Sequence, residues 1–228
     1  SFVYANPSGK LLMVGVTGTN GKTTTTYIIR SILQAAGMRV GLLGTIIESD
    51  GITEKKADRT TPESAIVERQ LANMVRNGCS ACVMETSSHG LYLGRLKGAK
   101  YDVPVFTNLY PEHLDFHKDM EHYFDAKTLL FTTYAKPGFL GAANYDDPYG
   151  KRLLAKFPER VRGFGLTNGA QFTVAGANSS LDGTELVIQR EGFGSISLSS
   201  PLVGDFNIMN TLCAVTAMRG RADDEAIV

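Results

Sequence analysis

Residues 15–24 read G-V-T-G-T-N-G-K-T-T. A glycine-rich turn followed by Lys-Thr is the residue set that phosphate chemistry asks for. Gly18 and Gly21 let backbone N–H groups turn inward onto phosphate oxygens, with Thr19 and Asn20 between them. Asn20 reads as a loop former first and a ligand second. Lys22 brings an ammonium to terminal phosphates, and the Thr23 hydroxyl suits Mg²⁺. Thr24 to Thr26 fall in the first turn of the following helix, where hydroxyls can bond backbone groups. The common G-x-x-x-x-G-K-T spacing would put its first glycine at position 16. This chain has Val16 there, with glycines at 15 and 18. A glycine turn that binds nothing is the plainer alternative, but the strand–loop–Lys-Thr–helix order favours nucleotide phosphates.

Two other spacings could carry chemistry. Cys79 and Cys82 form a C-x-x-C, a redox pair or half a zinc site. No second such pair follows and no helix opens there, so two cysteines lining a buried strand is the preferred reading. His113 and His117 form H-x-x-x-H, which on a helix would put two imidazoles on one face. No third ligand follows at a suitable spacing, and zinc is not expected. His89 and His122 read as loop or surface residues.

The elements that must position these residues follow from periodicity. KLLMVGV (10–16), RVGLLGT (39–45), ACVME (81–85), DVPVFTN (102–108) and GFLGAAN (138–144) are short apolar runs, read as buried strands. Helices are predicted over 23–36, stopped by Gly37, over 121–134, and over 206–218. Another opens at Thr61-Pro62, with Thr61 as cap and Pro62 in the first helical position. Its apolar face is Ile66 or Val67, Leu71, Met74 and Val75. Asp147-Pro148 starts one more, and 48–59 is a loop or hairpin. From Val161 the texture shifts to alternating polarity over 172–180, 184–190 and 194–200. The prediction is an α/β fold: a doubly wound, mostly parallel sheet with a phosphate loop, and a small antiparallel sheet in the C-terminal third. The last stretch, RGRADDEAIV, reads as polar with no closing element.

With 228 residues and 43% hydrophobic content, the chain can build one large α/β domain with a proper core, or two small ones. Lys plus Arg and Asp plus Glu balance at 23 each, so a nucleic-acid surface is not indicated. No apolar run reaches the length of about 18 residues that a membrane helix needs. Three cysteines without a framework suit the cytoplasm. The first residue is Ser1 rather than Met, which suggests a piece of something longer.

The variant loop is one of a series. D-R-T-T-P (58–62), M-E-T-S-S-H-G-L (84–91), F-T-N-L-Y-P-E-H-L-D-F-H (106–117), Y-F-D-A-K-T-L-L-F (123–131), N-Y-D-D (144–147) and G-D-F-N-I-M-N (204–210) follow in order. Together they resemble the Mur ligase family, ATP-dependent amino acid ligases of peptidoglycan synthesis. E-x-S-S-H-G-L and H-L-D-x-H point to the branch that adds the third residue of the stem peptide. The resemblance covers nearly the whole chain. It implies the central, ATP-binding domain of a three-domain enzyme, with the UDP-binding and amino-acid-binding domains outside these residues.

The resemblance also implies a chemistry. ATP phosphorylates the carboxylate of UDP-N-acetylmuramoyl-L-Ala-D-Glu, and an incoming amine, from diaminopimelate or lysine, displaces phosphate. Catalytic roles fall on Lys22, His113 and Lys127. Mg²⁺ ligands would be Thr23, Glu85, His113 and Lys127, the last as a carbamate formed with CO₂. By spacing alone Lys127 is a solvated helix lysine; the resemblance replaces that reading. ATP contacts would run from Gly18 to Thr24, with Asn144, Asp147, Asn207 and Asn210 toward adenine and ribose. Thr60, Thr61, Ser87 and Arg95 would meet the UDP-muramoyl peptide. Arg95 suits a phosphate or carboxylate because its fork donates two parallel bonds. Leu93 stands where some relatives carry a polar contact. A monomer is expected. The competing readings are a nucleotide-binding module without ligase activity, and a ligase of the folylpolyglutamate or cyanophycin type.

Overall fold

The alternating hydrophobic pattern closes into one sheet of eleven strands, in the order β11-β10-β9-β8-β7-β6-β1-β5-β2-β3-β4. The computed structural model describes residues 4–228; Ser1 lies outside them. The strands are β1 (Leu12–Thr17), β2 (Val40–Leu43), β3 (Ile47–Ser49), β4 (Glu54–Lys56), β5 (Ala81–Glu85), β6 (Val103–Phe106), β7 (Gly141–Asn144), β8 (Val161–Phe164), β9 (Phe172–Ser180), β10 (Gly183–Arg190) and β11 (Gly194–Ser200). The helices are α1 (Lys22–Ala35), α2 (Ser64–Arg76), α3 (Ser88–Tyr92), α4 (Leu114–His117), α5 (Met120–Thr132), α6 (Pro148–Lys156), α7 (Asp205–Ala217) and α8 (Asp224–Ile227).

Strands β8, β7, β6, β1, β5 and β2 run parallel, and β9 to β11 pair antiparallel. The expected small sheet is continuous with the main one, joined through Phe164 and Phe172. The 48–59 segment is a hairpin, in which the Asp50 carboxylate accepts the Ile52 and Thr53 N–H groups.

Side chains alternate across a strand, so each sheet face has its own core. Val14 and Val16 of β1 pack with Ile29, Ile32 and Leu33 of α1 and with Leu212 and Val215 of α7. Met13 and, from β5, Cys82 and Met84 face the other way, toward Met74, Tyr101, Leu130 and Phe131. Gly15 belongs to this packing, because an added Cβ would lie 2.7 Å from the Tyr101 ring.

Two expectations are corrected. Thr61 and Pro62 do not open α2: the helix starts at Ser64 with Glu63 at its cap position. The Thr61 hydroxyl is drawn instead to the Glu85 carbonyl, 3.2 Å away. The final stretch does carry a closing element, α8, whose Ala226 and Ile227 are buried. Arg190, 5% exposed, holds it by a two-pronged bond to the Asp224 carboxylate, which keeps that carboxyl below its ordinary range.

The chain leaves β1 toward β2 on one side of the sheet, and β6 lies on the other. The carboxyl ends of β1 and β6 therefore flank a switch in strand order, where open α/β sheets leave a crevice for ligands.

Candidate functional site

The loop after β1 fills that crevice. Gly18 and Gly21 have φ of 148° and 82°, and close neighbours leave neither room for a Cβ. One added at Gly18 would sit 1.9 Å from Thr107 Oγ1, and one at Gly21 2.3 Å from Asn210 Oδ1. Asn210, from α7, is thereby brought against the loop.

The four threonines divide between the site and the core. Thr23 Oγ1 donates to Glu85 Oε2 at 3.0 Å. Thr24 lines the adjoining cavity. Thr25 and Thr26 are fully buried on the core side of α1, and Thr26 Oγ1 bonds the Thr23 carbonyl.

Lys22 Nζ folds back onto the Gly18 and Thr19 carbonyls at 2.9 and 2.8 Å. Burial holds its pKa below the ordinary lysine value, opposed by the charges of Glu85 and Glu112. Glu85 ends β5 and is 1% exposed. Its carboxylate also accepts from the Thr45 N–H (2.8 Å) and hydroxyl (3.0 Å). A buried carboxylate beside a hydroxyl and a phosphate loop is an oxygen donor set that suits Mg²⁺.

Lys127 is not a surface lysine. It is 1% exposed, donates to Gly18 O at 2.9 Å, and lies 4.5 Å from the centre of the Tyr123 ring. Burial first, and then the charge of Lys22, hold its pKa well below the usual value. Helix α5 brings it there because seven of its residues, spread over a little more than half of the circumference, are buried.

The histidines gather without forming the expected helix pair. His113 precedes α4 in the left-handed region at φ 56°, while His117 ends that four-residue helix. Their spacing therefore does not put them on one helix face. Among the described residues, no group of three or more His, Cys, Asp or Glu could hold a metal ion by protein atoms alone. Cys79, Cys82 and Cys213 are free and buried; Cys82 lies in β5, as the plainer reading had it, and Cys79 just before that strand. His117 is 4% exposed, bonds Ser88 Oγ at 2.9 Å and stacks on Tyr123. His89, expected in a loop or on the surface, sits in α3 against Phe116, His113 and His117. His122 is exposed, paired with Asp119.

Burial, then the charges of His89, Lys127 and His113, lower the His117 pKa to about 4. The folded value lies below the unfolded one of about 6.5, so the unfolded chain protonates first as pH falls. His117 should therefore cost stability progressively from pH 6.5 down to 4, and nothing above that window. Denaturation midpoints measured across this range should fall less for His117→Gln than for the parent chain; parallel curves would contradict the assignment.

A cavity of about 800 Å³ opens beside the loop. Asn20, Gly21, Asn144, Asp147 and Asn210 line it, together with Tyr149, Phe164 and Phe206, which sequence reasoning missed. The Asp147 carboxylate is already engaged. It caps α6 through the Tyr149 and Gly150 N–H groups and also accepts the Leu109 N–H. Asn207 stands behind the wall, where it bonds Val203 O and Asn210.

The four residues read as substrate contacts lie around the other side of Glu85. Thr60 Oγ1 lies 3.1 Å from Thr45 Oγ1, whose own proton goes to Glu85. Thr61 Oγ1 accepts the Ser87 N–H and hydroxyl, both at 3.0 Å. Arg95 meets Glu63 at 3.1 Å and the Thr61 carbonyl at 3.5 Å.

Residues 16–218 match the family described as the Mur ligase middle domain. The chain belongs to the Mur ligase family. Among similar Mur ligases is the UDP-N-acetylmuramoyl-L-alanyl-D-glutamate–2,6-diaminopimelate ligase of Clostridium tetani, 39% identical over 94% of this chain and 43% of the relative. The ligase of the same name from Geobacter metallireducens is 41% identical, with the same coverage. A solved structure of a ligase of that name superposes with a TM-score of 0.84 at 29% identity, over 96% of this chain and 45% of the other. The chain thus spans under half the length of these relatives. No helix among the described residues is long and apolar enough to cross a membrane.

Thr45 and Tyr123 join this cluster as residues that sequence reasoning did not single out. Thr45 follows β2 and reaches Glu85 because β2 pairs with β5. Tyr123 precedes Lys127 by one helical turn, and its hydroxyl lies 3.3 Å from Thr19 Oγ1.

Proposed function

We propose that the chain is the ATP-binding core of an ATP-dependent amide ligase of peptidoglycan synthesis. The UDP-binding and amino-acid-binding parts of the enzyme lie outside these residues. The acceptor is UDP-N-acetylmuramoyl-L-Ala-D-Glu. The names of the relatives favour diaminopimelate over lysine as the incoming amino acid. One observation carries the reading: Lys22, Thr23, Glu85 and Lys127 converge on the loop at the switch point, beside a cavity with room for a nucleoside.

The substrate carboxylate attacks the γ-phosphorus of ATP, and the bond to the bridging oxygen of ADP breaks. The resulting acyl phosphate loses phosphate when the amine attacks its carbonyl carbon, and the amine gives up a proton. Lys22 exchanges its loop carbonyls for phosphate oxygens and offsets their charge. Thr23 and Glu85, with His113, would hold Mg²⁺, which when bound neutralises charge on the phosphates. Burial of Lys127 favours its neutral, nucleophilic amine, the form that adds to CO₂ with loss of one proton. The carbamate would put a negative group where the neutral amine stood, suited to a cation. Thr60, Thr61, Ser87 and Arg95 would position the muramoyl peptide near the γ-phosphate.

The test is ADP release. The full-length ligase should release ADP only when muramoyl dipeptide and diaminopimelate are both present. The 228 residues alone should bind Mg-ATP and release none. ADP release by the full-length protein without the dipeptide, or robust dipeptide-dependent release by the 228 residues alone, would contradict the reading.

A further inference from the structure

The segment after β6 holds the phosphate loop through a side chain that behaves as an extra strand. Parallel pairing of β1 with β6 ends at Thr17 and Phe106. Contact continues beyond it: Thr107 N–H donates to Thr17 O, and Thr19 N–H to Asn108 O at 2.9 Å. The backbones then part, and the Asn108 amide takes over. Its Oδ1 accepts the Asn20 N–H at 2.9 Å, and its Nδ2 donates to Asn20 O at 3.2 Å. Thr107 Oγ1 adds a third bond, 2.6 Å to the same carbonyl. An asparagine side chain carries both a donor and an acceptor, as a peptide group does. Here it meets both polar groups of one loop residue. Asn108 and Asn20 both line the cavity beside the loop, so the contact lies at the site itself. The next residue, Leu109, is tied through its N–H to Asp147.

We propose that Asn108 is a positioning residue for nucleotide binding. Its amide fixes the Asn20 peptide, so that the following Gly21, Lys22 and Thr23 N–H groups present one preformed cradle to the phosphates. The loop's affinity for nucleotide then depends on a side chain from a different strand end, 88 residues away in sequence. This rests on the nucleotide-binding reading above.

The test pairs amide hydrogen exchange with calorimetric titration of Mg-ATP, on the 228-residue chain and its Asn108→Ala and Asn108→Gln variants. Asn108→Gln keeps the polar groups but moves them one methylene out of register, which guards against a variant that fails to fold. In the parent chain the Asn20 amide should be protected. In both variants it should exchange faster while the Val14 and Val16 amides stay protected, and Mg-ATP should bind at least about tenfold more weakly, as loss of two hydrogen bonds implies. If the parent chain binds Mg-ATP and both variants bind it equally well, Asn108 has no positioning role and the nucleotide reading stands. If the parent chain binds no Mg-ATP although its Asn20 amide is protected, the nucleotide reading fails and the proposal with it.

Discussion

Gly18→Ala is expected to abolish measurable Mg-ATP binding and to lower stability by about 3 kcal/mol. Two effects add. The backbone at φ 148° is one that L side chains rarely adopt, and the new Cβ would lie 1.9 Å from Thr107 Oγ1. Thr107 cannot yield cheaply. It is buried and β-branched, and its hydroxyl already bonds Asn20 O and Thr17 O. The Gly18 carbonyl also accepts from both Lys22 and Lys127, so any displacement moves two functional amines. Chemical denaturation gives the stability change and calorimetry the affinity. A variant of parental stability that binds Mg-ATP normally would refute the close docking of loop on Thr107.

The second large effect is on turnover. Lys127→Met in the full-length ligase should lower kcat by about 10³-fold, the scale for removing a preorganised charged group from a transition state. Stability should not fall, because methionine fills a 1% exposed site without a charge to desolvate. The parent protein, equilibrated with ¹³C-labelled bicarbonate, should show a carbamate carbon resonance that the variant lacks. Full activity in Lys127→Met would remove Lys127 from the mechanism. A missing resonance in an active parent would remove the carbamate alone.

The sequence was most legible where one element decides the outcome. Strand β1, the phosphate loop and α1 follow from a short apolar run, glycines and helical spacing, and all stand where those signals put them. Of the loop or hairpin left open over 48–59, the hairpin forms, because Asp50-Gly51 makes its own turn.

Legibility failed where a side chain serves a distant strand. Thr61 has the right type for a helix cap, but β5 lies close enough to claim its hydroxyl. Thr45 and Asn108 become visible only once the β1-β5-β2 and β1-β6 neighbours are known, since each reaches across a strand boundary. Lys127 carried no signal of burial in its own type; the signal available was its place opposite the α5 face that carries Glu121, His122, Asp125 and Thr132. Helix α8 is too short for periodicity and depends on Arg190, more than thirty residues earlier by rough count, for its anchor.

Everything proposed for the site depends on a working phosphate loop. The most direct test is calorimetric titration of Mg-ATP into the 228-residue chain beside its Lys22→Ala variant. Lys22 rests on loop carbonyls that it can leave for phosphate oxygens, so the parent should bind and the variant should lose about 100-fold or more in affinity. Equal binding by the two proteins, or binding by neither, would contradict the account.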